Sequence, residues 1–135
     1  MTQFLDASFL FAVFCKDDSF HQQARKVIES INQRSDKVIT SDISLSETIN
    51  LVFRLKGPSE VNKFLKYFTK TKTEITYIDK ETFQSGYKIL LDQKSKRGLN
   101  FFDCLHLATM KQLGIKNILT FDDDFKNYVK INEVN

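Results

Sequence analysis

The sequence holds one proline, four glycines and no tryptophan in 135 residues. So few chain breakers exclude a collagen-like or linker-like polymer. Cysteine is scarce as well. Cys15 and Cys104 lie far apart, and neither belongs to a CxxC pair or a Cys/His ligand set. That predicts two buried thiols in a reducing compartment rather than a disulfide framework or a zinc site. Long apolar runs are also missing. The longest, Phe9 to Cys15, falls short of the roughly 20 residues that span a bilayer, and Asp6 precedes it where a secretory leader would carry positive charge. A cytoplasmic protein without a membrane partner is the expectation. Nor does one sign of charge dominate: 20 Lys and Arg against 17 Asp and Glu leave +3, too slight an excess to identify a nucleic-acid partner unaided.

What is present describes an ordinary globular chain. Hydrophobic residues make up 41%, charged residues 27%, and Phe occurs 13 times, so a Phe-rich core is expected and global disorder is not. The length suits one domain, residues 1–135, able to bury well over half its unfolded surface without a disulfide or metal. Short apolar segments at Thr2–Leu5, Lys37–Thr40, Glu74–Ile78 and Asn117–Thr120 read as strands, with Val129–Ile131 a possible fifth. Between them fall helical patterns: Ser8–Phe14, Phe20–Asn32, Asp42 to about Leu55, Pro58 to about Thr71, Asp79 to about Lys94, and Asn100 to Leu113. A short helix is expected at Asp122–Tyr128. Strands separated by helices predict an α/β fold, a parallel sheet of four to five short strands with helices on both faces.

In such a sheet, ligands collect at the carboxyl ends of the strands. Asp6 ends the first strand, Thr40-Ser41-Asp42 the second, and Thr120-Phe121-Asp122 the fourth. The helix holding Asp103 leads into the fourth strand, so its N-terminal end is expected on the same edge. Glu47 is flanked by Ile43 and Leu51 at four residues on either side, and Asp103 by Leu99 and Leu107. A carboxylate in apolar surroundings is costly unless something pairs it. Carboxylates within about 5 Å of each other repel by a few kcal/mol at an effective dielectric near 20, so either their pKa values rise or a cation neutralises them. An all-oxygen set suits Mg²⁺ or Mn²⁺, which can orient a phosphodiester and activate water.

Four segments carry a resemblance: Phe4-Leu5-Asp6-Ala7-Ser8; Thr40-Ser41 through Glu47; Asn100-Phe101-Phe102-Asp103-Cys104-Leu105-His106-Leu107-Ala108; and Thr120-Phe121-Asp122-Asp123-Asp124-Phe125. In this order, over essentially the whole chain, they resemble the four motif regions of PIN-domain nucleases, and most of all the small VapC-type toxins. The resemblance implies a Mg²⁺- or Mn²⁺-dependent ribonuclease. Asp6, Glu47, Asp103 and Asp122 would be its catalytic, metal-binding acids, with Asp124 as a helper. It also implies a homodimer and a cognate antitoxin, engaged by an arm like the helix pair 42–71. A hydroxyl residue often follows the first acid of the family; here Ala7 stands there and Ser8 comes next.

Other readings attach to the same residues. Asp6 can cap the first helix, Asp103 can complete a capping box with Asn100, and any of Asp122, Asp123 and Asp124 can cap the last helix. Ser8, Ser41 and Thr120 are auxiliary candidates that can hold a water or a phosphate oxygen, or only cap. His106, one turn beyond Asp103, reads more readily as a packed, hydrogen-bonded side chain than as a base. Lys63, Lys66 and Lys70 read as a solvated face. Lys94, Lys96 and Arg97, in the loop before the Asp103 helix, are the candidates for RNA contact. No aromatic motif for stacking single-stranded RNA is assignable from the sequence. Three functions compete: a metal-dependent RNA endonuclease, a receiver-type phosphoacceptor, and a PIN-like processing or binding protein that is not a toxin. The receiver would need an acidic pair after the first strand, where only Asp6 stands.

Overall fold

The computed structural model describes residues 1–133; Val134 and Asn135, the end of the expected 1–135 domain, lie outside the described residues. Five strands, β1 (Thr2–Leu5), β2 (Lys37–Ser41), β3 (Glu74–Thr76), β4 (Asn117–Leu119) and β5 (Lys130–Ile131), form one sheet in the order β3-β2-β1-β4-β5. Every neighbouring pair is parallel. The helices are α1 (Ala7–Phe14), α2 (His21–Arg34), α3 (Asp42–Lys56), α4 (Pro58–Lys70), α5 (Lys80–Leu91) and α6 (Phe101–Leu113).

Alternation along the strands divides the core in two. Successive strand residues face opposite sides of a sheet, and the register sets Phe4 beside Ile118 and Leu5 beside Leu119. Phe4 and Ile118 face a cluster with Ile39, Leu107 and Met110, which α6 covers. Leu5 and Leu119 face the other cluster, with Phe9, Ala12, Val52 and Phe64, which α1 to α4 cover. The expected α/β sheet with helices on both faces is therefore what the chain forms. No helix among the described residues is long and apolar enough to cross a membrane.

The helix starts follow local chemistry. Asp6, Ser41, Asp79 and Asn100 each accept a backbone N–H from the first turn of α1, α3, α5 and α6, which satisfies donors the helix leaves free. At the other end of α6, Gly114 takes φ +69°, and Ile115 N–H reaches back to the Met110 carbonyl at 2.9 Å, a left-handed cap that favours glycine.

Several boundaries differ from the sequence reading, and side chains hold the backbone just beyond two of them. β3 stops at Thr76 rather than Ile78, whose N–H is taken by Asp42 Oδ1 at 3.1 Å. α5 stops at Leu91 rather than near Lys94. Gln93 then holds Leu99 from both sides, donating to its carbonyl at 2.8 Å and accepting its N–H at 2.6 Å. The short helix expected at Asp122–Tyr128 shrinks to a single 3₁₀ turn, Asp123–Phe125.

Cys15 and Cys104 are unpaired and buried. Burial pushes the Cys15 thiol up to about 11 and raises that of Cys104. Since the thiolate is the reactive form, neither thiol is expected to react with an aromatic disulfide reagent in the native protein at about pH 8, whereas both should react at once in denaturant. Rapid labelling of a native thiol would contradict this burial.

Candidate active site

The sheet order locates the site. From the central β1 the chain passes to β2 on one side, while β4 pairs on the other. The crevice between the carboxyl ends of β1 and β4 is thus the point where the winding reverses, the usual place for a ligand in an open parallel sheet. Asp6 follows β1 and Thr120 follows β4.

Asp6 is buried and held by three donors. Thr120 Oγ1–H donates to Oδ2 at 2.6 Å, Ser8 Oγ–H to Oδ1 at 2.8 Å, and Phe9 N–H to Oδ1 at 3.2 Å. Both hydroxyl oxygens in turn accept: Ser8 Oγ from Phe121 N–H and Thr120 Oγ1 from Asp122 N–H, each at 3.0 Å. The two hydroxyl hydrogens are spent on the carboxylate, so the 3.3 Å approach of Ser8 to Thr120 is a contact between acceptors. Thr120 is pinned as well by Asn132, which accepts its N–H at 2.9 Å and donates to its carbonyl at 2.7 Å. Burial raises the Asp6 pKa despite these donors and nearby His106.

Asp103 stands in the first turn of α6 and completes the capping box: it accepts Asn100 N–H at 3.4 Å while Asn100 accepts its own N–H at 2.9 Å. Capping does not exhaust it. Burial, with Asp122 and Asp6 close by, lifts its pKa to about 6, against the lowering pull of His106 and of the Asn100 N–H. Asp6, Asp103 and Asp122 therefore share one electrostatic neighbourhood. Asp122 also caps the 3₁₀ turn, its Oδ1 accepting Asp124 N–H at 2.9 Å.

Glu47 joins this group indirectly. The buried face of α3 is Ser44, Thr48 and Val52, not the Ile43–Leu51 stripe expected beside Glu47; those two residues are only half-buried. Ser44, on this face, meets α6 at His106, while Val52 packs into the cluster with Phe9 and Phe64. From the border of this face Glu47 reaches His106, whose Nε2–H donates to Oε1 at 2.9 Å. Ser44 Oγ lies 3.4 Å from His106 Nδ1, so the ring has a polar partner at each nitrogen. His106 is buried, packed near Phe4 and Phe125, and near enough to Asp6 and Asp103 to act on both carboxyls. It links Glu47 to the other acids, packed and hydrogen-bonded as its place one turn after Asp103 suggests. Asn132 is the unexpected member, and no pattern in the sequence points to it.

The remaining candidates lie apart. Ser41 Oγ is occupied by Ser44 N–H. Asp124 is exposed, as are Lys94, Lys96 and Arg97 on the loop before α6. A cavity of about 760 Å³ opens elsewhere, among Ile89, Leu107, Met110 and Val129, and none of the four acids lines it.

The donor set suits a hard divalent cation in chemistry: oxygen ligands, with Asp6 and Asp103 raised by burial. Among the described residues, no Lys or Arg forms an ion pair with Asp6, Asp103 or Asp122. Asp6 and Asp103 also stand at the starts of α1 and α6, whose dipoles favour negative charge there. As these side chains stand, no three His, Cys, Asp or Glu among the described residues are gathered as ligands. Glu47 is 31% exposed and Asp122 half-buried, so both have room to turn.

A family model described as PIN domain matches residues 4–131. Solved structures share the fold at low sequence identity. Mycobacterium tuberculosis VapC20, described as a Sarcin-Ricin loop cleaving toxin, superposes with a TM-score of 0.83 at 23% identity, over 97% of this chain and 98% of that one. VapBC2 from Rickettsia felis, solved bound to a DNA fragment from its promoter, gives 0.76 at 15% identity over 97% of each chain. FitAcB from Neisseria gonorrhoeae gives 0.73 at 16% identity over 98% of this chain and 97% of that one. No curated protein sequence matches significantly.

Proposed function

The chain belongs to the PIN domain family, and from that premise we propose that it is a divalent-metal-dependent endoribonuclease, the toxin of a toxin–antitoxin pair. One observation carries this most: Asp6 stands at the sheet's reversal point, Asp122 and Asp6 are both near enough to raise the Asp103 carboxyl, and burial raises Asp6 and Asp103 alike, an excess of buried acid that a cation would relieve. The VapC and VapBC structures that share the fold support the toxin reading.

In this reading Asp6, Asp103 and Asp122, with Glu47 turned inward, hold Mg²⁺ or Mn²⁺, and Asp124 assists from the rim. The bound cation supplies a lowered pKa for the attacking water and charge stabilisation on the phosphodiester. The chain supplies the rest. Ser8 and Thr120 hold the Asp6 carboxylate in one orientation, and His106 orients Glu47. Lys94, Lys96 and Arg97 lie on the approach to α6 and contact the RNA backbone, whereas Ser41 acts as a cap. We take residues 1–135 as one nuclease domain acting in the cytoplasm as a homodimer. Its antitoxin covers the arm of α3 and α4, where Phe53 and Leu55 are more than half exposed.

The test is direct. Purified protein should cleave single-stranded RNA with Mg²⁺ or Mn²⁺ and fail with EDTA. Its expression should arrest growth, and co-expression of the adjacent small gene should restore it. Cleavage without growth arrest would point to an RNA-processing nuclease that is not a toxin; no cleavage with any divalent metal would refute the enzyme.

A further inference from the structure

Three aromatic rings lie in a flat stack beside the acids. Phe9 of α1 and Phe121, the residue before Asp122, have ring centroids 5.3 Å apart and planes within 7°. Phe20, which caps the start of α2, continues the stack from Phe121 at 4.4 Å and 10°. Every other phenylalanine or tyrosine pair described in the chain is tilted or edge-on, the commoner compromise between ring quadrupoles alongside offset stacking. The stack runs from core to solvent: Phe9 is fully buried and Phe20 is 43% exposed. Phe20 thus has one face laid on Phe121 and much of the rest of its ring open to water.

The stack is rigidly tied to the acids. Phe121 N–H donates to Ser8 Oγ at 3.0 Å, and Ser8 donates to Asp6. Phe20 N–H is held by Asp18 Oδ2 at 3.0 Å, and the neighbouring His21 ring bonds the Ala12 carbonyl at 2.7 Å. The acids beside Phe20 are already engaged: Asp18 holds the Phe20 backbone, and Asp17 pairs with Lys56. The open ring suits a nucleobase, because any base offers a π-face to an aromatic ring.

We propose that Phe20 is the stacking platform for one unpaired base of the RNA substrate, fixing the nucleotide beside the phosphodiester that the acids act on. This rests on the nuclease reading and adds to it a positioning residue that makes no contact with the acids.

The chain has no tryptophan, so Phe20→Trp creates a single fluorescent reporter at the platform. With Ca²⁺ in place of Mg²⁺, titration with a short single-stranded RNA should quench its emission, whereas an abasic oligomer of equal charge should leave it unchanged. Phe20→Leu should lower kcat/KM on single-stranded RNA roughly 5- to 150-fold, the range of one base–aromatic stack, mostly through KM, and Phe20→Trp should restore it. A melting curve of Phe20→Leu separates this from lost stability, and the Trp variant answers even if the Leu variant unfolds. Unchanged KM in Phe20→Leu, or equal quenching by the abasic oligomer, overturns the platform while RNA cleavage by the parent protein leaves the nuclease reading standing. If the parent protein cleaves no RNA, the nuclease reading fails first and the platform with it.

Discussion

Asp6→Asn and Asp103→Asn are each expected to abolish metal-dependent RNA cleavage, by on the order of a thousandfold or more, because each removes a negative oxygen from a cation whose charge stabilisation amounts to several kcal/mol. Neither should unfold the protein. At Asp6 the amide oxygen can still accept the Phe9 and Ser8 donors, while its nitrogen can donate to Thr120 Oγ1 in place of accepting from it, and at Asp103 the amide oxygen can still accept the Asn100 N–H that the carboxylate accepts now. Each also removes a carboxylate that burial holds above its ordinary pKa, a charge the folded state accommodates at a cost. Asp103→Asn should therefore melt at or above the parent's temperature near neutral pH, and Asp6→Asn close to it, since the altered Thr120 bond offsets the relieved charge. Loss of activity with undiminished stability is the mark of a functional rather than structural charge. Full activity in either purified variant would remove that acid from the site, and collapse of the fold would make it structural.

The second large effect is a coupling of metal, pH and stability. The Asp103 pKa is raised from 3.8 to about 6, so between these values the folded state binds more protons than the unfolded chain. The stability this group contributes is fully present below about pH 4 and is lost as pH rises through about 6; the raised Asp6 acts in the same direction. A divalent cation that binds the ionised carboxylates reverses the loss only where they are ionised. At about a hundred times its dissociation constant such a cation stabilises by about 2.7 kcal/mol, roughly 5–10 °C in melting temperature for a chain of this size. Melting followed by circular dichroism should show a rise of that order with Mn²⁺ at about pH 7.5, little rise at about pH 5, and its removal by EDTA. A shift of equal size at both pH values would mean that the cation binds elsewhere.

The element order was readable along the chain because its signals are local: alternation in the strands, apolar spacing in the helices, and capping residues at Asp6, Ser41, Asp79 and Asn100. The misreadings came where a distant side chain took a backbone group, as Asp42 does at Ile78. The residues read as an apolar stripe around Glu47 are only half-buried, because the face of α3 turned into the protein carries Ser44, Thr48 and Val52.

Taken by itself, the sequence determined a parallel α/β domain with acids at its strand ends, since periodicity and capping act within a few residues. Only the tertiary structure decided which of those ends meet. Thr120 lies 114 residues from the Asp6 it bonds, and His106 lies 59 residues from Glu47. Phe20 and Phe121 stack across a similar gap in the chain. Such pairings depend on strand order and helix crossing, which follow from packing both faces of the sheet at once, and no local pattern in the chain encodes them.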